Sequence, residues 1–369
     1  SALSYNNRVT ILNNGENKFP VLLEKLRSAR NHIHMEYYKV EEDKIGQEII
    51  AILCEKAMSG LKVRVIVDAL GSNHISRSTY NQLNAAGVLI HEYNPVIFTP
   101  LANRVNYRDH RKIVIIDGHT SFVGGMNIAD KYINSPASTH YWRDTHCMID
   151  GEATYSLQIL FLLNWYFVSK ELLQPSLDLF PKIGNLGSVA TAIISSDPDS
   201  DHPNLMEAYF SMINSAREEI LISTPYFIPN ESILTALKTA AKGGVKVSLI
   251  LPALSDSVFV HSASLTYMGE LLRNDIEVYM YQKGMIHSKV MIIDGELTSI
   301  GSANLDYRSF DNNAEVNALF FDEALAQELI SGFDKDLSDS IRYGYSMWKR
   351  RPFKVKLIGS VARLIAPLL

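Results

Sequence analysis

A short pattern of reactive side chains occurs twice in this sequence. Both copies read H-x-K-x4-D, with an apolar run between the lysine and the aspartate. The residues are His110, Lys112 and Asp117 in the first copy and His287, Lys289 and Asp294 in the second. Each histidine is followed at the same distance by an asparagine, Asn127 in one copy and Asn304 in the other. One match would be weak evidence, but two copies with matching followers indicate a duplicated chemical site.

Strand geometry explains why the histidine and the lysine of each copy are two residues apart. Side chains at positions i and i+2 of a strand lie on one face, so both can contact the same ligand. If the two copies fold against each other about a pseudo-two-fold axis, two histidines and two lysines meet in one pocket. Such a pocket suits a phosphodiester, because the lysines neutralise its non-bridging oxygens. Further hydrogen bonds are expected from Asn127, Asn304 and the segments at Gly125 and Ser302.

Imidazole suits both halves of a transfer reaction at phosphorus, since its ordinary pKa of about 6.5 makes both protonation states accessible. A neutral histidine attacks phosphorus, and a protonated one gives its proton to the leaving alkoxide. A second alcohol then attacks the phosphohistidine, with the acid histidine now acting as base. We expect no cofactor and no metal. His32 and His34 share a strand face, but no third ligand with suitable spacing accompanies them.

Each imidazole also needs a carboxylate that orients its ring. Asp144 and Glu315 lie comparable distances downstream of the two motif histidines, and each is assigned to the histidine that precedes it. Asp117 and Asp294 belong to the repeated pattern, but each is followed by a glycine, which is typical of a turn. We expect these two aspartates to shape the lobe interface rather than to transfer protons.

The elements around the motifs repeat as well. The first half opens with a strand over residues 9–12, a helix over 19–30 and a strand over 33–38, and the second half with the corresponding 190–194, 205–218 and 220–224. The two helices end in Ser28-Ala29-Arg30 and Ser215-Ala216-Arg217, 187 residues apart. Strands that alternate with helices predict an α/β fold.

We therefore expect two homologous α/β/α lobes, related by a pseudo-two-fold axis, with the active site between them. The stretch 174–187 has prolines and glycines but no clear periodicity, which indicates a junction between the lobes. The predicted units are an N-terminal lobe over residues 1–185, a C-terminal lobe over 186–340 and a tail over 341–369.

Composition argues against several other classes of protein. The net charge of -5 gives no general attraction to nucleic acid, so no nucleic-acid partner is expected. Cys54 and Cys147 are far apart in apolar stretches and are expected to be buried thiols. No apolar run is long enough to cross a bilayer, and the stretch 155–168 is expected to be a helix packed on a sheet. No signal segment is evident, so any membrane anchor would lie outside this sequence.

The tail over residues 341–369 is basic and amphipathic. Its cations are Arg342, Lys349, Arg350, Arg351, Lys354, Lys356 and Arg363, and its apolar residues include Trp348, Phe353, Val355, Leu357, Ile358, Val361, Leu364 and Ile365. Two prolines predict a helix that begins at Pro352 and ends at Pro367. Such a helix suits an anionic membrane surface. The alternative is a helix docked on the protein's own surface.

Longer strings outside the motif resemble the phospholipase D superfamily and, within it, the bacterial cardiolipin synthases. The likeness covers nearly all of residues 5–340. The strings are HIHMEYY from residue 32, VDALGS from 67, GGMNI from 124, WRDTH from 142, TPYFIP from 224 and GSANLDYRSF from 301. The paired motif is specific only to the superfamily, whereas these flanking strings point to the synthases.

The resemblance implies transfer of a phosphatidyl group from one phosphatidylglycerol to another, which gives cardiolipin and glycerol without metal or nucleotide. By the same analogy His110 is the nucleophile and His287 the general acid. Phosphatidylglycerol and a membrane surface are the implied partners, and the bacterial cell membrane is the implied location. Nothing in the sequence assigns an oligomeric state.

Three other functions are compatible with the motifs. They are a hydrolytic phospholipase D, a nuclease of the same superfamily and a membrane-binding protein with an inactive site. The net charge of -5 disfavours the nuclease. The intact pair of motifs disfavours the inactive protein.

Overall fold

The computed structural model describes residues 2–95, 106–135, 140–255 and 257–365. The strands of the first half are β1 (Asn7–Asn13), β2 (His32–Tyr37), β3 (Lys62–Asp68), β4 (Leu89–Tyr93), β5 (Arg108–Asp109), β6 (Lys112–Ile116), β7 (Thr120–Gly124), β8 (Tyr141–Arg143) and β9 (Thr145–Gly151). Its helices are α1 (Asn14–Ser28), α2 (Lys44–Met58), α3 (Arg77–Ala86) and α4 (Ala153–Ser169), with a short 3-10 turn at Asp130–Tyr132.

The second half begins after a segment without regular structure that includes the predicted junction near residue 185. Its strands are β10 (Ala190–Ser196), β11 (Glu219–Ser223), β12 (Phe227–Ile228), β13 (Lys246–Pro252), β14 (Glu277–Tyr281), β15 (Gly284–Ile286), β16 (Val290–Ile293), β17 (Leu297–Gly301), β18 (Leu305–Asp306), β19 (Asn313–Phe321) and β20 (Ser340–Arg342). Its helices are α5 (Asn204–Ser215), α6 (Glu231–Lys242), α7 (Val258–Leu272), α8 (Glu323–Ser338), α9 (Tyr345–Lys349) and α10 (Phe353–Ile365), with a π-helical turn at Arg308–Asn312.

The two halves form sheets with the same strand order. The first sheet runs β1-β9-β7-β6-β2-β3-β4, and the second runs β10-β19-β17-β16-β11-β13-β14 before it ends at β20. Strands β2, β3 and β4 are parallel, and so are β11, β13 and β14. Parallel neighbours need helical crossovers, which α2, α3, α6 and α7 supply. The matching order confirms the predicted duplication and the two-lobed α/β fold.

Local sequence accounts for the ends of these crossover helices. Asp43 accepts a hydrogen bond from the backbone of Gly46 at the start of α2, and Asn230 does the same for Ile233 at the start of α6. Such side chains satisfy donors that the first turn of a helix leaves unpaired. After α6, Gly244 has a φ of 95°, a conformation that glycine adopts easily and that turns the chain into β13.

Three apolar cores hold the layers together. One lies between the first sheet and helices α1 to α3, and another between the second sheet and α5 to α7. The third joins the inner faces of both sheets with α4 and α8, and it includes Ile115 from one lobe and Ile292 from the other. Each sheet therefore has helices on both faces, and the shared core holds the two α/β/α lobes in a fixed relation.

The lobes also exchange short strand pairings at two places. Strand β5 of the first lobe pairs with β19 of the second, and β8 of the first lobe pairs with β15 of the second. Strand β5 directly precedes His110, and β15, the partner of β8, directly precedes His287. The exchange therefore ties the lobes together at the edge where the motifs meet.

Most predicted elements agree with the structure to within a few residues. The main difference is the start of the first helix, which was expected at residue 19, whereas α1 already begins at Asn14. The helix expected over 155–168 is present as α4. Cys54 and Cys147 are buried and free. Among the described residues, no helix combines the length and apolar character that crossing a membrane requires.

The C-terminal helix α10 docks on α7 through one face. Gly359 approaches Ser262 so closely that a side chain there would meet its carbonyl oxygen, and Arg363 pairs with Glu270 at 2.8 Å. The other face remains exposed, with Phe353 78% and Leu357 54% accessible. The docked-helix alternative is thus correct for one face of α10. The predicted end at Pro367 lies outside the described residues.

Candidate active site

The two motif histidines line one cleft between the lobes. This cleft has a volume of about 420 Å³, and its walls include His110, Asn127, His287 and Asn304. His110 follows β5 and His287 follows β15, so both lie beside the strands that the lobes exchange. The expectation of a single pocket between two related lobes therefore matches the placement of the histidines.

The motif lysines are buried beside these histidines. The ammonium group of Lys112 donates a hydrogen bond to the carbonyl of His110, and that of Lys289 donates one to the carbonyl of His287 at 2.6 Å. Lys289 also lies 3.2 Å from Nε2 of His287. Each lysine is thus held against the histidine two residues before it, although neither pair lies within a single strand as the sequence argument expected.

The orienting carboxylates are crossed between the lobes. Nδ1 of His110 lies 2.9 Å from a carboxylate oxygen of Glu315, and Nδ1 of His287 lies 2.7 Å from Asp144. Asp144 and Glu315 therefore lie beside the motif histidines, but each contacts the histidine of the other lobe and not the preceding one to which it was assigned. The pairing is crossed because β8, directly before Asp144, lies beside β15, and β19, which contains Glu315, lies beside β5.

Backbone hydrogen bonds fix the same crossed arrangement. The N–H of His110 donates to the carbonyl of Ala314, directly before Glu315. The N–H of His287 donates to the carbonyl of Arg143, directly before Asp144. Each histidine is therefore held at its backbone and at its ring by consecutive residues of the other lobe, which leaves Nε2 of each ring as the nitrogen available for chemistry.

Burial controls the protonation of the site. It lowers the pKa of His110 to about 4 and that of His287 to about 4, although Glu315 and Asp144 oppose the shift. It also lowers the pKa of Lys112 to about 7. These low pKa values favour the neutral imidazoles at pH 7, and a bound anion would favour protonation of one of them.

The two asparagines take equivalent positions on the cleft wall. The Asn127 amide donates to the hydroxyl of Tyr132 at 3.0 Å, and that of Asn304 donates to Asp306 at 3.2 Å. In both residues the amide oxygen is buried without a hydrogen-bond partner among the described residues. Both amides are held in place and retain hydrogen-bonding capacity toward the cleft.

Gly125 and Ser302 do not line the cleft, which corrects their assignment to substrate binding. The N–H of Gly125 is bonded to Thr145, and a side chain at Gly125 would come within 2.3 Å of Asp144. Ser302 is buried and exchanges hydrogen bonds with the backbone of Val316, next to Glu315. These two residues instead give the orienting carboxylates their space and their support.

Asp117 and Asp294 lie outside the cleft, which corrects both their grouping with the catalytic residues and their expected place at the lobe interface. Asp117 accepts three backbone hydrogen bonds, from Arg30, Asn31 and His32 of its own lobe. Asp294 accepts the equivalent three from Arg217, Glu218 and Glu219. Each stands five strand residues beyond its lysine, roughly 16 Å away. Both have positive φ and turn the chain, as the following glycines indicate.

Several residues of the cleft wall were given no catalytic or binding role from sequence. Tyr38 meets His110 edge to face at 5.0 Å between ring centroids, and Trp142 meets His287 in the same way at 5.7 Å. Lys131 and Arg308 also line the cleft. Trp142 and Arg308 stand in the strings WRDTH and GSANLDYRSF, which carried the resemblance. That was the one sequence signal for them.

Buried ion pairs cross the lobe interface behind the cleft. Arg111 lies 2.6 Å from Asp197 and Arg143 lies 2.9 Å from Asp336, both across the interface, while Glu36 of its own lobe lies 3.4 Å from Arg111. Breaking one such buried pair costs about 3–5 kcal/mol, because the other charge is left unpaired. These contacts hold the two histidines at a fixed separation.

The described residues contain no group of three His, Cys, Asp or Glu side chains placed to hold a metal ion. His32 and His34 are buried and share Gln158, which approaches them at 3.1 and 2.8 Å. Their rings pack inside the first lobe, where His34 stacks on Phe161.

Two solved structures show a similar fold. The phosphatidylserine synthase of Haemophilus influenzae superposes with a TM-score of 0.75 at 15% identity, over 98% of this chain and 95% of that one. The polyphosphate kinase of Porphyromonas gingivalis gives a TM-score of 0.61 at 15% identity, over 97% of this chain and 52% of that one. At these identities the comparison shows the shared fold.

Sequence comparison is more specific. A family model described as "Cardiolipin synthase, PLD-like domain" matches residues 22–140 and 209–337. The cardiolipin synthase of Geobacillus thermodenitrificans is 42% identical over 368 residues, which cover 100% of this chain and 73% of that protein. The major cardiolipin synthase of Bacillus subtilis is 39% identical over 98% of this chain and 76% of its own length. With its paired histidines and matching fold, the chain thus belongs to the cardiolipin synthase family, the phosphatidyltransferases of the phospholipase D type.

Proposed function

We propose that this chain transfers a phosphatidyl group from one phosphatidylglycerol to a second, through a phosphohistidine, and releases glycerol. The observation that supports this proposal best is the pair of crossed histidine–carboxylate contacts, His110 with Glu315 and His287 with Asp144, facing one cleft. Two equivalent imidazoles fit a reaction in which one forms a covalent bond and the other moves protons.

The first step forms the covalent intermediate. Nε2 of His110 attacks the phosphorus of the donor lipid as the bond to the glycerol oxygen breaks. The binding of the anionic phosphodiester raises the pKa of His287 from its low value, so that this imidazole can hold the proton it then gives to the leaving oxygen. Glu315 and Asp144 keep both rings turned toward phosphorus.

The second step reverses these roles. A terminal hydroxyl of the acceptor glycerol attacks the phosphorus, its proton passes to His287, and the bond between phosphorus and His110 breaks. Lys112 and Lys289 neutralise the charge on the non-bridging oxygens in both steps. One phosphodiester replaces another of similar stability, so no nucleotide is required.

A membrane surface is the proposed site of action and the bacterial cell membrane the proposed location. The substrate is an anionic lipid, and the exposed face of α10 combines Phe353, Leu357 and Val361 with Lys354 and Lys356. Apolar side chains next to cations suit the interface of an anionic bilayer. This supports peripheral binding through the tail.

The test is incubation with phosphatidylglycerol vesicles, with cardiolipin and free glycerol both measured. Equal amounts of the two products support the proposal, whereas phosphatidic acid as the main product would indicate a hydrolase. Replacing His110 or His287 with asparagine should each abolish turnover, while the exposed His202→Asn variant should retain it. A slow substrate should leave a phosphatidyl group on His110, and a group trapped on His287 would reverse the assignment.

Chelation offers an independent check on the roles of the lysines. Because two ammonium groups and two amides already supply positive charge and donors, EDTA should leave the rate unchanged. Loss of activity with EDTA that Mg²⁺ restores would contradict this account.

A further inference from the structure

The proposed reaction brings a second phosphodiester into the cleft. The acceptor phosphatidylglycerol attacks through a hydroxyl that is three carbons and one ester oxygen away from its own phosphorus, roughly 6 Å with ordinary bond lengths. The acceptor's own phosphodiester therefore lies close to the reacting phosphate, and the motif lysines already neutralise the reacting phosphate. A cation of its own is therefore needed to offset the repulsion.

The cations on the cleft wall differ in their partners. Lys39 pairs with Glu41 at 2.6 Å, and Arg108 lies 3.7 Å from Asp68. Arg308 is different, because it makes no ion pair with any carboxylate of the described residues. Its Nε donates to the amide oxygen of Asn313 at 3.4 Å. A half-buried guanidinium without a carboxylate partner, in a cleft built for anions, is a ready phosphate contact.

The backbone that bears Arg308 is firmly held. Arg308 opens the π-helical turn Arg308–Asn312, a rare form that is frequent at functional sites. The carboxylate of Asp306 accepts from the backbone of Ser309 at 2.7 Å and from the amide of Asn304 at 3.2 Å. The turn is thereby fastened to one of the two asparagines of the cleft.

A chain of side chains links Arg308 to the reacting centre. The Arg308 guanidinium contacts Asn313, the amide of Asn313 donates to Glu315 at 3.1 Å, and Glu315 holds His110. Because Arg308 and His110 also line the same small cleft, a headgroup bound at the histidines can reach the guanidinium.

The pseudo-symmetry of the chain gives Arg308 a counterpart in the first lobe. Arg308 stands four residues after Asn304, and Lys131 stands four residues after Asn127. Lys131 lies over the ring of Trp142 at 3.9 Å, a cation–π contact. Equivalent positions in the two lobes thus bear different cations. An arginine can grip a phosphate with two parallel hydrogen bonds, whereas a lysine presents a point charge.

We propose that Arg308 binds the phosphodiester of the acceptor lipid, and so selects an acceptor that is itself an anionic phospholipid. The inference rests on the proposed function. In the transfer step the acceptor hydroxyl oxygen bonds to phosphorus, the bond from phosphorus to histidine breaks, and the hydroxyl proton passes to the other imidazole. The acceptor's own phosphodiester stays intact on Arg308 throughout.

Two reactions of the same phosphohistidine distinguish acceptor binding by Arg308 from a contribution of Arg308 to catalysis in general. Cardiolipin formation uses an acceptor that has a phosphate. Exchange of labelled glycerol into phosphatidylglycerol uses an acceptor without one, and it must occur because glycerol is the leaving group of the first step. In Arg308→Gln, the ratio of cardiolipin formed to glycerol exchanged should fall at least tenfold, equivalent to about 1.4 kcal/mol. Arg308→Lys, which keeps the charge, should recover part of this ratio.

Each other outcome has a defined meaning. An equal fall in both reactions, or no fall in either, would overturn the assignment of Arg308. A selective fall in Lys131→Gln and not in Arg308→Gln would also overturn it and would move the acceptor phosphate to the other lobe. The exposed Arg217→Gln variant is the matched control and should keep the wild-type ratio. A wild-type protein that performs neither reaction would instead refute the proposed function.

Discussion

Nδ1 of His287 lies 2.7 Å from Asp144, a carboxylate that belongs to the other lobe. The reciprocal contact joins His110 to Glu315. Each lobe thus supplies one imidazole and the carboxylate that orients the other. Neither lobe alone contains an oriented histidine, so the site exists only when the shared core and the exchanged strands are formed.

Removing the charge of either orienting carboxylate should lower kcat while the fold is retained. In Asp144→Asn or Glu315→Gln the imidazole loses the partner that fixes its tautomer, and losses of about a hundredfold or more are expected by analogy with triads. Steady-state rates and circular dichroism would check this. A variant with an unchanged kcat would show that the carboxylate does not act through the histidine.

The crossed pairing itself can be tested through stability. A double-mutant cycle of Asp144→Asn with His287→Gln should give a coupling energy above about 0.5 kcal/mol, as expected for groups in contact. The same cycle with His110→Gln should give a value near zero. The reverse order of these two coupling energies would restore the assignment within one lobe.

Gly125 should tolerate no side chain because of its contact with Asp144. In Gly125→Ala the added carbon would come within 2.3 Å of the carboxylate and displace it from His287. We expect kcat to fall by at least tenfold and stability to fall by about 1–3 kcal/mol, the usual cost of overpacking. Gly184 has no atoms within 4 Å of the same position, so Gly184→Ala is the matched control. Equal activity in the two variants would exclude the steric argument.

The pKa of Lys112 predicts how activity depends on pH. Burial lowers this pKa to about 7, so in the free enzyme the ammonium charge is present below pH 7 and is lost as pH rises through it. Because kcat/KM reports the free enzyme, it should decline between pH 6 and 8.5. The decline in kcat should be smaller, since a bound anion favours the charged lysine. A kcat/KM that is constant up to pH 9 would contradict the lowered pKa.

Stability should depend on pH in the opposite direction. An unfolded lysine has a pKa of about 10.4. Between about pH 7 and pH 10 the unfolded chain therefore binds more protons at Lys112 than the folded chain does, and the free energy of unfolding rises with pH. Denaturation of Lys112→Met at pH 7 and 9 should show a smaller rise than wild type. The exposed Lys62→Met variant should behave as wild type does.

The sequence was sufficient to predict the duplication, the main strands and the placement of His110 and His287 in one cleft. These features follow from local patterns and from a constant offset between repeats. The partner of each carboxylate was not predictable, because Asp144 follows His110 in sequence but β8 carries it to the other lobe. Spacing records distance along the chain, whereas the pairing depends on how two lobes pack.

The sequence also could not show which way the residues next to the cleft face. Gly125 and Ser302 stand next to residues of the cleft, yet the backbone turns them toward Asp144 and Glu315. The sequence predicted no role for Arg308, because an arginine in a loop is usually a solvated charge. Its position four residues after Asn304, matched by Lys131 after Asn127, was visible in the sequence but had no meaning without the cleft.

The docking of α10 changes how the tail should be tested. Trp348 packs against Gly269 and donates its indole N–H to the carbonyl of Leu265 at 2.8 Å. Removing residues 348–369 would therefore expose α7 and lower stability. Loss of membrane binding in that truncation would have two explanations.

Substitutions on the exposed face of α10 avoid this ambiguity. Phe353 and Leu357 are 78% and 54% accessible, so replacing both with serine should leave the melting temperature unchanged. Burial of such side chains in a bilayer interface contributes about 1.5–3 kcal/mol each, and binding to phosphatidylglycerol vesicles should fall at least tenfold. Added salt should also weaken vesicle binding by the wild-type protein, because Lys354 and Lys356 attract the anionic surface. Met58 is similarly exposed at the end of α2, and Met58→Ser should bind as wild type does. Unchanged vesicle binding in the double variant would leave α10 with a structural role only.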